Sequence, residues 1–334
     1  MGSRTTRYVD LTDLLTTKRC FKLVCGAGNE DADEVEKLVA VYAKAGANYF
    51  DLSAKENIVL AAKSGLERVI PKDRQGRYFL NVSVGIAGDP HMRKARIKTE
   101  LCSLCGACEK VCLEKAIQRK KDIYCIIHER CIGCGTCEKI CPVKAISFIN
   151  IEKDLKEVLP PLIKLGIHSI ELHAVTDDEE SAYAKWGLIQ DCFDGVLSLC
   201  LDRSHLGDKM LVARIKRFIA NRKDYTTIVQ ADGAPMTGCD DRYNTTLQAL
   251  GTADIVQKAK LPIWLLVSGG TNSKTTELTK LFEIDIHGVA MGSYARKIIK
   301  KYLERNDLLQ NRAMFNMAYR VAKQLVAKSL KYLG

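Results

Sequence analysis

Residues 263–304 read IWLLVSGGTNSKTTELTKLFEIDIHGVAMGSYARKIIKKYLE, two rounds of one pattern. A short apolar run, Ile263–Ser268, ends in Gly269-Gly270-Thr271 and gives way at Thr275 to an amphipathic stretch. A second run, Gly288–Met291, ends in Gly292-Ser293 and does the same from Tyr294. Runs of this length bounded by glycine read as buried parallel strands, and the stretches between them as helices. Backwards along the chain the alternation gives strands at Phe21–Gly26, Tyr49–Ser53, Phe79–Val84, Ser169–His173, Val196–Leu201 and Thr227–Ala231. Helices are predicted over Ala32–Ala45, Ile58–Val69, Glu152–Leu165, Glu179–Ile189, Lys209–Asn221, Thr245–Lys258, Thr275–Phe282 and Tyr294–Glu304. Their apolar residues recur at steps of three and four, as in Leu38, Val41, Tyr42 and Ala45. Eight strand–helix units imply a parallel sheet, and eight is the number that closes a TIM-like (β/α)8 barrel. A doubly wound open sheet is the competing arrangement.

The alternation is interrupted once, between the third strand and the third barrel helix. There eight cysteines fall in two copies of one spacing, Cys102-x2-Cys105-x2-Cys108-x3-Cys112 and Cys131-x2-Cys134-x2-Cys137-x3-Cys141, the second followed by Pro142. The copies are 29 positions apart, and Ala116-Ile117 repeats as Ala145-Ile146. This is the two-cluster ferredoxin run, in which three cysteines of each motif hold one [4Fe–4S] cluster and the fourth crosses to the other. It assigns Cys102, Cys105, Cys108 and Cys141 to cluster I, and Cys131, Cys134, Cys137 and Cys112 to cluster II. Gly106, Gly133 and Gly135 suit loops in which backbone amides approach sulfur. Paired CxxC units also bind structural zinc, but zinc does not require a fourth cysteine three residues on, twice, within a repeat. Leu113 replaces the proline expected after Cys112. The expected organisation is barrel over 18–97, a ferredoxin-like insert over 98–150, barrel again over 151–306, and a helical C-terminal segment over 307–334. Inserts on strand-to-helix loops lie at the catalytic face of a barrel. Of the other cysteines, Cys25 and Cys200 read as buried strand residues, and Cys239 as the one suspected of redox exposure.

The two glycine-rich strand ends suggest a second site. In barrels, the ends of strands seven and eight commonly cradle phosphate with backbone amides and a helix N-terminus. Ser268, Gly269, Gly270, Thr271, Gly292 and Ser293 are the residues so placed; the alternative is glycine for tight turns alone. FMN, or another phosphate-bearing ligand, is the cofactor in keeping with neighbouring iron–sulfur clusters. Lys22 lies inside an apolar run, where an ammonium needs a partner. Asp51 or Asp232 would supply one, or Lys22 faces the flavin or an anion. Asp51, Asn81, His173, Asp202, Gln230 and Asp232 point to the same mouth. His91, His128 and His173 show no base–nucleophile arrangement.

At 334 residues, 47% hydrophobic and with only 7 prolines, the chain can bury a large core and shows no low-complexity tract. Fourteen cysteines and no export signal in MGSRTTRYVD predict a reducing cytoplasm, where thiols serve metals rather than disulfides. No apolar stretch approaches the ~20 residues of a membrane span. The net charge of +11 suits an acidic redox partner protein or a phosphorylated small molecule, or simply a solvated surface. No aromatic-interleaved basic stretch is present, so nucleic acid is not an expected partner.

The chain resembles the light-dependent period protein family (LdpA), iron–sulfur proteins best known from cyanobacteria. The residues that carry the resemblance are Phe21 to Gly26, Ala45-Gly46-Ala47 with Asp51, Asp89 to Ala95, both cysteine motifs, Asp232 to Gly238, Ser268 to Thr271 and Gly288 to Arg296. It implies two [4Fe–4S] clusters and sensing of cellular redox state, which in cyanobacteria feeds the circadian clock. Two functions follow as expectations. One is a non-catalytic redox sensor or electron carrier; the other is an FMN-dependent oxidoreductase whose clusters relay electrons to the barrel.

Overall fold

A computed structural model describes residues 10–333 except 27, 87–88, 90–91, 152–153, 177, 204–205 and 234–239. His91, Cys239 and most of the Asp232–Gly238 segment therefore lie outside the described residues. The barrel strands are β1 (Cys20–Val24), β2 (Tyr49–Ser53), β3 (Phe79–Gly85), β8 (Ser169–His173), β9 (Val196–Leu201), β10 (Thr227–Ala231), β11 (Trp264–Val267) and β12 (Gly288–Met291). All neighbours pair in parallel, and the order β1-β12-β11-β10-β9-β8-β3-β2 closes where β1 meets β2. The closed barrel decides against the open sheet.

Helices return the chain between strands, and their ends are written in the sequence. α2 (Ala32–Ala45) starts at Asp31, whose carboxylate accepts from Glu34 N, and stops at Gly46, which takes φ +107°. α7 (Glu179–Cys192) is capped by Asp178 in the same way. The outward faces of the strands, such as Phe21, Leu23, Phe50 and Leu52, share one core with these helices. The N-terminal end of the barrel has a core of its own. Leu11, Leu14 and Leu15 of α1 (Leu11–Thr16) pack there on Cys20, Tyr49, Phe79, Ile228, Trp264 and Leu266. That six-residue plug was not expected. The C-terminal segment also differs from expectation: its helix, α12 (Arg312–Lys331), begins at Arg312 rather than Asp307, because Asp307 holds Arg305 and Asn311 while Asn311 caps Met314 N.

The cysteine motifs lie in an insertion after β3. It opens with β4 (Arg93–Ile97) and closes with β7 (Ile146–Asn150), antiparallel partners with Arg93 opposite Asn150. Between them are α4 (Ala107–Val111), the hairpin of β5 (Ile117–Lys120) and β6 (Ile123–Ile126), and α5 (Thr136–Ile140). The repeat is visible in the backbone. Gly106 and Gly135 start α4 and α5 at φ +73° and +81°, and Lys115 and Lys144 take +50° and +52°. Leu104, at φ +57°, holds the left-handed position that Gly133 fills in the second copy at +71°.

Candidate functional site

The insertion sorts its eight thiols into two cavities. Cys102, Cys105, Cys108 and Cys141 line one, together with Tyr124 and Val143. Cys112, Cys131, Cys134 and Cys137 line the other, which has Ser293, Arg296, Lys297 and Lys300 on its far wall. Each cavity thus takes three cysteines from one motif and the last cysteine of the other. The donor chemistry fits an iron–sulfur cluster. Ala95 N donates to Cys131 Sγ at 3.3 Å, Ala116 N to Cys112 Sγ at 3.3 Å and Ala145 N to Cys141 Sγ at 3.2 Å. Amide bonds to sulfur of this kind hold thiolates and tune a cluster's potential. Burial and the negative charge of Cys134, Cys131 and Cys112 push the Cys137 thiol up to about 12. Four thiolates gather there only with cationic metal to neutralise them.

The second cavity borders the barrel through Ser293, Arg296, Lys297 and Lys300, whereas the first is lined by residues of the insertion alone, with Cys105 exposed. Ion pairs, two of them on buried cations, fasten this arrangement. Lys94 is 2% exposed, and its ammonium donates to the Gly28 and Cys131 carbonyls at 2.7 Å each, with Glu30 Oε2 at 3.5 Å. Arg130 pairs with Asp31 at 2.8 Å. Arg296, at the start of α11 (Ser293–Leu303), reaches Glu34 at 3.1 Å and, two residues beyond Cys112, Glu114 at 3.2 Å. It also donates to the Cys25 carbonyl, and a Cβ on Gly26 would meet its Nη2 at 2.9 Å.

Inside the barrel a polar layer replaces the usual aliphatic one. Lys22, fully buried, donates to Glu171 Oε2 at 2.5 Å and Gln230 Oε1 at 3.1 Å, with Asp51 Oδ1 at 3.6 Å. Asp51 is one of the two partners expected for it; the main one, Glu171, was missed. Its signal was the period of two along β8, where Ser169, Glu171 and His173 share the inward face. Glu171 is held well below the ordinary carboxylate range: burial opposes ionisation, but Lys22 and His173 overcome it. Burial disfavours the His173 cation too. Its hydrogen bond to Glu171 and the charges of Asp89, Glu171 and Asp51 outweigh that and lift it to about 9.

The residues expected to cradle phosphate have other partners. Thr271 Oγ1 donates to the Ala290 carbonyl at 2.5 Å, tying the end of β11 to β12. Gly269 sits at φ +67°, where a Cβ would overlap Asp232 Oδ1. An acidic neighbour and a committed hydroxyl do not favour an anion. Gly270 takes φ +70°, and Ser268 N bonds the Ala231 carbonyl at 2.9 Å. Gly292 packs on Val24, and Ser293 lies on the wall of the second thiol cavity. Lys22 is enclosed by its carboxylates instead of facing an open cradle.

Fold and thiols together define an iron–sulfur protein built on a (β/α)8 barrel. The model of the 4Fe-4S binding domain matches residues 99–115 and 124–147, and that of the Light dependent period A C-terminal domain matches 162–331. The chain is 30% identical over 299 residues to Light dependent period A of Synechococcus elongatus, covering 85% of this chain and 82% of that protein. It belongs to the Light dependent period A family. Among solved structures it is similar to the YdjI aldolase from Escherichia coli K12, with a TM-score of 0.51 at 9% identity over 97% of this chain and 96% of that one. That likeness concerns the barrel fold alone. Among the described residues no helix is long and apolar enough to cross a membrane.

Proposed function

We propose that this chain holds two [4Fe–4S] clusters and acts in redox sensing or electron transfer. Cys102, Cys105, Cys108 and Cys141 hold cluster I, and Cys131, Cys134, Cys137 and Cys112 hold cluster II. The sorting of the eight thiols into two mixed cavities carries this reading. Bound there, the clusters supply one-electron chemistry. The chain's own residues divide the work. Cys105 brings one cavity to the surface, within reach of a redox partner protein. Arg296, Lys297 and Lys300 set positive charge on the wall of the other, favouring the more negative oxidation state of its occupant. Arg296 also joins that wall to Glu34 of the barrel, so a change of charge in the cavity acts directly on a barrel residue. The relative is named for a light-dependent period, and a redox input to such timing is the corresponding role here.

The second reading is an FMN oxidoreductase, favoured by the polar layer within the barrel. The committed Thr271 hydroxyl and the Asp232 carboxylate beside Gly269 make it the weaker of the two. Anaerobic purification with iron and sulfide analysis tests the first reading, which expects about eight of each per chain. Mass analysis of released small molecules tests the second, and near-stoichiometric FMN would reverse the order. Cys112→Ser tests the crossing: paramagnetic resonance should change for the cluster held by Cys131, Cys134 and Cys137. Damage confined to the other cluster would refute the assignment.

A further inference from the structure

The barrel mouth contains a donor set separate from the eight insert cysteines. A Glu171 carboxylate oxygen, a His173 ring nitrogen and Cys200 Sγ all lie within 4.8 Å of one another. Strand register produces the grouping. His173 of β8 lies opposite Cys200 of β9, and Glu171 stands two residues earlier on the same face. Neighbours fix how the donors point. Glu171 Oε2 accepts from Lys22 at 2.5 Å, Gln230 at 2.6 Å and Ser198 at 2.8 Å, which saturates that oxygen. Oε1 accepts only a long 3.4 Å bond from Ser83 and faces His173 Nε2 at 3.1 Å, a separation that two ligands of one ion can adopt. The other ring nitrogen lies 3.9 Å from Asp89 Oδ2. A carboxylate behind the imidazole is the arrangement that orients a ligating histidine. Independently, Asp51 Oδ2 is buried in the same chamber with no hydrogen bond, and the charge of Asp51 is felt by Glu171 and His173. The chamber is short of a cation.

We propose that Glu171, His173 and Cys200 bind a divalent transition-metal ion of the zinc type. One oxygen, one nitrogen and one sulfur donor disfavour calcium and magnesium, which take oxygen alone. Three protein ligands leave a position open, the pattern of zinc that binds a small molecule or water rather than zinc that only supports a fold. Charge also comes within one unit of balance. The ion and Lys22 bring three positive charges against four negative ones from Asp51, Asp89, Glu171 and the Cys200 thiolate.

The full-length protein, purified without oxygen, is equilibrated with Zn2+, desalted and analysed for metals and zinc X-ray absorption. The expected result is about one zinc beyond the iron, in a shell of nitrogen and oxygen with one sulfur. Cys200→Ser and His173→Gln should each lower zinc affinity at least about tenfold while iron content is unchanged. Circular dichroism melts confirm that both variants fold, and either alone suffices. Zinc held by cluster cysteines would show four sulfurs and survive Cys200→Ser. That outcome, no retained zinc, or equal affinity in the folded variants overturns the proposal, and none of them bears on the iron count.

Discussion

Lys22→Met removes the ammonium that, among the described residues, sits at the centre of the barrel. Lys22 is fully buried, Glu171 and Asp51 are each 1% exposed, and Glu171 lies 2.5 Å from its nitrogen. No solvent remains to screen the carboxylates once it is gone. Breaking such a pair by deleting one partner costs about 3–5 kcal/mol, because a buried charge is stranded. At about 2.1 cal/mol/K per residue, unfolding 334 residues carries an entropy near 0.7 kcal/mol/K. The apparent melting temperature should therefore fall by about 4–7 °C. The loss also has a pH signature. Without Lys22, the folded pKa values of Glu171 and Asp51 rise above those of the unfolded chain, so protonation relieves the variant as pH drops. In the native protein Glu171 is depressed instead, so its contribution stays complete down to its unfolded value of about 4.3 and is lost only below that. The protonation of the variant's carboxylates therefore narrows the gap between variant and native protein from pH 8 to pH 5. The double variant Lys22→Met/Glu171→Gln should regain more than half of the loss. Anaerobic thermal melts by circular dichroism read all three effects. A single variant within about 1 °C of native at every pH, or a double variant no better than the single, would refute the reasoning.

Two further predictions concern neighbouring residues. Gly269→Ala forces a side chain into the left-handed region and against Asp232, and should cost about 1–3 kcal/mol in urea unfolding; a neutral result would mean that the turn is not constrained as described. His173, raised to about 9, contributes stability that is complete below its unfolded value near 6.5 and is lost as pH rises through 9. Urea midpoints measured from pH 6 to pH 10 should fall across that window in the native protein and run flatter in His173→Gln.

The barrel was legible because its strands are short apolar runs between glycine and polar punctuation. Tyr49–Ser53, Ser169–His173, Val196–Leu201, Thr227–Ala231 and Gly288–Met291 have the predicted bounds. α1 escaped because six residues hold under two helical turns, too few for a period to emerge. Glu171 escaped because a carboxylate in an apolar run reads as noise until alternate residues are followed to one face. Pairings at long range leave no trace in spacing: nothing local links Arg296 to Glu114, or Thr271 to the Ala290 carbonyl. The phosphate reading rests on glycines and hydroxyls, and the neighbours that bear on it, Asp232 among them, come from other strands.

The β4–β7 clasp bears on how the molecule assembles. Asn81 pairs with Ser169 across 88 positions, so closing the barrel means bringing together strands separated by the whole insertion. With the clasp formed, that excursion behaves as a short loop; with it open, the loop is many times longer. Closure entropy grows only as the logarithm of loop length, about 2 kcal/mol for a tenfold increase. A chain whose clasp is open therefore pays only a modest penalty in closing its barrel. The scaffold should outlast its clusters, ready to be refilled rather than rebuilt.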